Sequence, residues 1–369
     1  MASDLQLQKS MKSGYIVDKI RQKLIDWAVP LLFLGLCVIG AYFARLNPIF
    51  LINEIILRMA RNPMLVLALI IPVVAGMGMN FAIVLGAMAG QIGVIIITHY
   101  GITGIVGFLG AVLIATPFAI LFGYLTGKLL NRAKGKEMIT SMIFGFFAIY
   151  IWQLIFLAFV GWIIPMKNPV MILSSGIGVR NTVDLIGIRQ SLDNILKIKI
   201  TTGLNIPLST VIVVALFCLL ITFFMKTKMG QDIRAVGQSM EIAAISGINV
   251  DKVRIISIII STVLAAWGQL IWLQNIGTLN TYGSHVQVGL FAVAALLIGG
   301  ASVSKANIWQ VLLGTFLFHT LFIISPAAGR NLIGDAQIGE FFRVFVAYGV
   351  IAVALLLHAW QRHTARKKL

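Results

Sequence analysis

The chain has 369 residues, of which 59% are apolar and only 11% charged, with a mean hydropathy of +0.97 and a formal net charge of +17. A soluble domain carries about 25% charged residues, so these values exclude an ordinary globular protein and point to an integral membrane protein. The positive charge comes in short clusters between apolar stretches, the pattern that encodes membrane topology, and no nucleic-acid partner is expected.

Taken in chain order, the first 25 residues are polar and carry Lys9, Lys12, Lys19, Arg21 and Lys23. They are long for a signal-peptide n-region and no small-residue cleavage site follows, so a retained first span is expected over 27–44. Residues 45–61 mix Ile49, Phe50, Ile55 and Ile56 with Arg45, Glu54, Arg58 and Arg61, which suits an amphipathic helix lying at the membrane surface. Asn62–Gly127 then contains no Asp, Glu, Lys or Arg. At about 1.5 Å per residue and about 30 Å per crossing this is three helices, expected at 63–78, 80–98 and 103–127. Further spans are expected at 138–162, 207–225, 255–275, 287–300, 308–326 and 343–360. Whole turns are apolar, which excludes the alternating pattern of a β-barrel. The fold class is all-α: a polytopic membrane bundle of about ten helices with broken or re-entrant segments.

Ten crossings put both termini on one side. With that side inside, nineteen Lys and Arg lie inside and ten outside, so both termini are expected to be cytoplasmic. The expected organisation is a cytoplasmic tail at 1–25, a transmembrane domain at 26–360 and a cytoplasmic tail at 361–369. Within that domain, 163–206 forms an external loop and 226–254 a cytoplasmic segment.

Glycines crowd Ala75–Gly93. Gly86, Gly90 and Gly93 read as helix-packing positions, whereas Gly76-Met77-Gly78-Met79-Asn80 reads as a helix break near a substrate route. Gly299–Ser304 is so short a polar turn that its flanking spans must be antiparallel neighbours. Cys37 and Cys218 sit inside apolar spans and read as small buried hydrophobes.

Nothing in the chain supplies energy. All twelve carboxylates fall at span edges or in loops, and His319 is the one histidine well inside a span, so proton coupling has little to work with. Gly123–Leu129 has the wrong glycine spacing for a phosphate loop and lacks its Ser or Thr. No metal-ligand spacing or nucleophile triad appears, and the five histidines are scattered, which speaks against an enzyme. A gradient-driven carrier or channel is the alternative function, disfavoured by the missing mid-membrane carboxylate.

Coupling from outside the chain remains, and Lys228–Val253 (KMGQDIRAVGQSMEIAAISGINVDKV) is its candidate. Gly230 and Gly237 bracket Asp232, Ile233 and Arg234. Ser239 caps a short helix with Glu241 in its first turn, Gly247 stops it, and Ile242 and Ile245 are apolar knobs for a groove in a soluble partner. Replacing Arg234, or Gly237 with a bulky residue, is expected to uncouple that partner while leaving folding intact.

At these residues the sequence resembles the inner-membrane permeases of ATP-binding-cassette importers that handle simple sugars, nucleosides and branched-chain amino acids. The family segment G-x-x-x-R-A-x-G-x-x-x-x-A-A-x-x-x-G-I reads here as Gly230, Arg234, Ala235 and Gly237, then Glu241, Ala243 and Ala244, then Gly247-Ile248, with the register of the paired alanines approximate. Leu297–Ser302 is similar to a G-G-x-S turn of the sugar permeases. The likeness runs through most of the chain and is strongest over 226–326.

The resemblance implies a coupling helix seated on a separate ATPase subunit, which holds ATP and Mg, with no cofactor in this chain. It further implies a second permease subunit, an extracytoplasmic substrate-binding protein and a place in a bacterial or archaeal cytoplasmic membrane. Where sugar members have G-I-D-L-S-V-G, this chain has Gly78 to Val84 with Asn80 for Asp and Ala82 for Ser. The lost carboxylate and hydroxyl favour a flatter or less hydroxylated solute, such as a nucleoside or vitamin. Gly78, Asn80, Phe81, Gln91, Trp152 and Gln153, with Phe146 and Phe147, are the expected lining of its route.

Overall fold

The computed structural model describes residues 27–366 apart from positions 167 and 202. The expected tail at 1–25 lies outside the described residues. The helices are α1 (Trp27–Ala44), α2 (Pro48–Arg61), α3 (Pro63–Leu67), α4 (Ile70–Val74), α5 (Ile83–His99), α6 (Gly104–Arg132) and α7 (Glu137–Leu154). After a π-helical turn at Ile155–Phe159 come α8 (Leu208–Phe224), α9 (Lys228–Gln238), α10 (Met240–Ile245), α11 (Val250–Ile276), α12 (Val288–Ile298), α13 (Ile308–Ile333) and α14 (Ala336–Arg366).

Six of these are long and apolar enough to cross a membrane, and up to eight crossings result when each of two bent pairs is one span. The expected ten is not reached by length, because α5 and α12 are apolar but short. Both abut glycine breaks. Gly76 and Gly78 before α5 have φ of +73° and +72°, and Gly300 after α12 has φ of +85°, a region open to glycine at little cost. The expected break at Gly76–Asn80 is therefore present, and α5 starts only at Ile83.

The centre of the bundle is α5, α6 and α11 packed on one another. Glycine makes this approach possible. A Cβ on Gly90 of α5 would stand 2.7 Å from the Ala266 carbonyl of α11, and one on Gly123 of α6 2.8 Å from Ile259 Cα. Gly86 meets the Thr262 carbonyl and Gly93 the Ala111 carbonyl in the same way, so all three expected packing glycines are that. Lipid cannot drive helices together by burying apolar surface, and close backbone contact does so instead.

The turn after α12 does fold the chain back as an antiparallel pair. Asn307 and Gln310 form a reciprocal capping box at the start of α13, Gln310 Nε2 donates to the Gly300 carbonyl at 2.7 Å, and Gly314 of α13 abuts the Ala295 carbonyl of α12.

The segment 163–206 contains short strands. Strand β1 (Thr182–Asp184) pairs antiparallel with β4 (Thr278–Asn280) in the α11–α12 connection, and β2 (Lys197–Thr201) forms a hairpin with β3 (Leu204–Pro207).

One expectation is overturned. The 45–61 helix is not a free-standing amphipathic helix: α2 runs through a 42° bend into α3 and α4 and packs on α8 and α13. Ile49, Phe50 and Ile52 form its exposed side, while Arg58 and Arg61, three residues apart and so on one face, turn inward to a cavity. Hydropathy counted those charges as a bar to burial, but the cavity takes them in, and Asn275 of α11 supplies Arg61 with a polar partner.

Candidate functional site

Three features stand out: a protruding segment at one end, a broken helix behind it, and a charged cavity towards the other end.

At the protruding end α8 bends by 73° into α9. Thr227 caps α9 by accepting from Gly230 N at 3.4 Å. Ser239 caps α10 by accepting from Ile242 N at 3.3 Å, and Gly247, with φ of +80°, ends it as Ile248 N donates to the Ala243 carbonyl at 3.0 Å. The short capped helix read from the sequence is thus present. Its knobs point outward: Ile242 is 67% and Ile245 88% exposed. Arg234, Glu241, Ala244 and Gly247 are also exposed, and Ala235 is half-buried.

The other expected coupling residues face inward. Ala243 is buried beneath α10. Gly230 is packed on its own chain at Phe224 and Met225, and Gly237 on the Val74 carbonyl and Gly76. These three shape the segment without presenting a surface. A bulky residue at Gly237 would strike backbone, so the expectation that such a change leaves folding intact is withdrawn.

Behind α10 lies a buried ion pair that sequence reading missed. Arg254, at the start of α11, is fully buried, and its Nη2 pairs with Glu137 Oε1 of α7 at 2.7 Å. Its Nε donates to Asn131 Oδ1 at 2.8 Å, its Nη2 faces the Leu130 carbonyl at 3.4 Å, and its Nη1 meets Met240 Sδ of α10 at 3.3 Å. One guanidinium therefore joins α6, α7, α10 and α11. Glu137 had been read as a span-edge or loop acid and Arg254 as one of the charges of the 226–254 segment, and their 117-residue separation in sequence hid the pair.

The broken helix receives this node from two sides. Gly76 abuts Gly237 of α9, and a Cβ on Gly78 would stand 2.8 Å from Met138 Cγ, next to Glu137. Phe81 N donates to Ser141 Oγ at 3.2 Å, and Ser141 Oγ donates to the Met138 carbonyl at 2.8 Å. Asn80 is buried, with Oδ1 accepting from Ala82 N at 3.1 Å and Nδ2 unpartnered.

The expected solute-route residues divide into separate groups. Gly78, Asn80 and Phe81 belong to the break, and Phe81 also edges a narrow cleft with Gly145, Phe146 and Gly289. Gln91 and Trp152 meet through His285, a residue the sequence reading did not single out. Gln91 Oε1 lies 3.1 Å from His285 Nδ1, Trp152 stands edge-on to the same imidazole at 5.4 Å, and Trp152 Nε1 donates to the Thr281 carbonyl at 2.8 Å. His285 lies in the α11–α12 connection, and burial pushes its pKa down to about 4, leaving a neutral ring whose Nδ1 donates to the amide oxygen. Gln153 is half-buried and Phe147 exposed. Neither joins these groups.

None of the six lines the charged cavity, a space of about 400 Å³ between α2, α3 and α11–α14. Arg58, Arg61, Arg343 and His319 face it together with Gln269, Gln287 and Asn62, and Trp272, Phe291 and Phe322 form apolar wall. Arg61 Nη1 donates to Asn275 Oδ1 at 2.7 Å, and Asn275 Nδ2 donates to buried Asp193 at 2.6 Å. Asp193 also accepts from Gln274 Nε2 at 2.9 Å and from Thr210. The signal in the sequence was the Arg58/Arg61 spacing beside a span, together with His319.

With this geometry in view, the comparisons are decisive. Residues 51–357 match the model of the branched-chain amino acid transport system permease component. The chain belongs to this family. Among curated proteins it is similar to a probable ABC transporter permease of Escherichia coli, 32% identical over 155 residues, covering 42% of this chain and 44% of that one. A ribose import permease of Haemophilus influenzae is 22% identical over 332 residues, covering 88% and 91%. A nucleoside ABC transporter permease of Lactococcus lactis is 21% identical over 250 residues, covering 66% and 62%. The chain spans less than half the length of the first of these. No solved structure matches it. This family member is a multi-pass helical membrane protein.

Proposed function

We propose that this chain is the permease subunit of an ABC importer for a small polar organic solute, of the sugar, nucleoside or vitamin kind. ATP and Mg would act on separate ATPase subunits seated on α9 and α10. A second permease subunit completes the pathway, and an extracytoplasmic binding protein delivers solute. The names of the ribose and nucleoside relatives support this assembly. The charge count and the bacterial source of those relatives support a cytoplasmic membrane with both termini inside.

The observation that carries the reading is α10 itself. A helix of six residues that leaves two isoleucines in water is unfavourable unless something covers them, and it is contacted from behind by Arg254 at Met240. A push on α10 reaches the broken helix by two contacts, Gly237 against Gly76 and Arg254 to Glu137 beside Met138 and Gly78. A rearrangement there alters the part of the bundle where the backbone is least regular, as expected of a transport route.

The test is to replace Ile245 and Ile242 with Asp, and Arg234 with Ala, all three being exposed. The expected result is a folded permease that no longer retains its ATPase subunit during purification and no longer supports ATP-driven uptake. Unchanged uptake in the Ile245→Asp, Ile242→Asp chain would refute the docking assignment.

A further inference from the structure

The cavity behind Arg58, Arg61 and Arg343 has a chemistry that the permease reading does not by itself explain. Three guanidiniums face one space of about 400 Å³, the size of a small-ligand site. Each leaves its Nε buried with no hydrogen-bond partner, as His319 leaves Nδ1 and Gln269 leaves Oε1.

The available carboxylates hold these cations from outside the lining. Glu54 reaches Arg58 only loosely, at 3.8 Å. Glu340 accepts from Arg343 Nη2 at 3.0 Å while remaining largely in solvent. Asp193 is joined to Arg61 by hydrogen bonds only through Asn275. Among the described residues, no Asp or Glu lines the space.

A route for neutral polyols favours carboxylates and amides, which accept from hydroxyls. Guanidinium groups have five donors and no acceptor, and they match carboxylate and phosphate oxygens in a fork geometry. Cations inside a membrane protein are costly without a partner and mark solute or ion pathways. Beside them, Phe322 lies under Arg343 at 4.1 Å and packs edge-on with Phe291 at 5.0 Å, an apolar wall for the body of a solute.

We infer that this cavity binds an organic anion, its carboxylate or phosphate received by Arg58, Arg61 and Arg343 and its compact body set against Phe291 and Phe322. This names the solute class of the proposed permease, and it rests on that reading for the direction of passage alone. Binding can be tested on the full chain without any ATPase subunit, so its failure is separate from failure of the docking assignment.

The experiment places the purified full chain in phosphatidylcholine nanodiscs and measures stabilisation by matched probes: ribose, ribose 5-phosphate, ribonate and inorganic phosphate. The two charged sugars are expected to bind on the order of tenfold or more tighter than ribose, and added salt should weaken them. The Arg61→Gln, Arg343→Gln chain should lose this preference, and the Arg61→Lys, Arg343→Lys chain should keep part of it, which a purely structural role would not produce. Should the Gln chain fail to fold, the wild-type preference and its salt dependence still decide the matter.

Equal response to ribose and its charged analogues overturns the inference, as does an anion preference that survives the Gln changes. Discs containing phosphatidylglycerol form the last arm. If that lipid abolishes the probe response, the cavity is a lipid headgroup site and the solute assignment is overturned; if the response persists, a soluble anion is the occupant.

Discussion

Removing one member of the Arg254–Glu137 pair should be far more damaging than removing its exposed neighbour. Glu137→Gln deletes a 2.7 Å charge-assisted contact between side chains that are 1% and 9% exposed. A hydrogen bond to a charged group contributes about 1.5–3 kcal/mol, and breaking a buried pair costs about 3–5 kcal/mol because a charge is left uncompensated. Arg254 would keep Asn131 Oδ1 and the Leu130 carbonyl, which holds the expected loss to about 2–4 kcal/mol. The control is built into the same end of the molecule. Lys134 and Asp251 pair at 2.6 Å but are 43% and 61% exposed, and such a pair contributes about 0–1 kcal/mol.

The assay is reversible unfolding of the purified chain in mixed micelles, followed by circular dichroism, for Glu137→Gln, Arg254→Met, the Glu137→Met, Arg254→Met double, and Asp251→Asn. Each single change at the buried pair should cost several-fold more than Asp251→Asn. The double change should recover most of the loss, since well-packed apolar groups replace a buried pair at little cost, giving a coupling energy of about 2 kcal/mol or more. If Glu137→Gln moves stability no more than Asp251→Asn does, Arg254 is not a buried node and the bracing of α10 through Met240 falls with it.

Two further changes test other parts of the fold. Gly237→Val places a side chain against the Val74 carbonyl and should abolish the monodisperse folded chain on size exclusion, whereas exposed Arg234→Ala should not; a well-behaved Gly237→Val protein would separate α9 from the break. Trp152→Phe keeps an aromatic ring, smaller than the indole, but removes the 2.8 Å bond to the Thr281 carbonyl. It should cost about 1–3 kcal/mol for a buried acceptor left unpaired in the same micelle titration, and no measurable cost would place that carbonyl in contact with water.

What the sequence made legible follows from how locally each feature is determined. The α10 caps depend on Ser239 and Gly247 within a few residues of the helix they bound, and the break depends on Gly76 and Gly78 adopting positive φ. The packing roles of Gly86, Gly90 and Gly93 follow from their place in an uncharged run. The misses are non-local. Arg58 and Arg61 were read as surface charges because hydropathy sums a segment without knowing that Asn275, and behind it Asp193, wait 214 and 132 residues away along the chain. Asp193 was read as a loop acid, although Thr210, Gln274 and Asn275 bury it. The crossing count fell short for a related reason: α5 and α12 end where glycines turn the backbone, and composition alone does not show how much of an apolar run remains helical.

These placements give the proposed function a mechanical form. Between Arg254 and the cavity runs α11, 27 residues with no internal proline, about 40 Å of continuous helix at 1.5 Å per residue. Arg254 sits near its start, and Gln269 and Trp272 line the cavity from near its other end. A rod of this kind transmits tilt. The chain from Pro63 to Phe81 runs alongside in pieces, α3, α4 and the glycine break, with Leu65 and Val66 at the same cavity and Gly76 and Gly78 at the α9 and α7 contacts. One connection between the α10 end and the cavity is therefore stiff and its neighbour is jointed. On the proposed docking, a displacement applied at α10 is expected to move both ends of the stiff one together, with the jointed one absorbing the difference at Gly76–Phe81. That division explains why the two close glycine contacts stand at the break, and why the buried ion pair stands at the foot of α11.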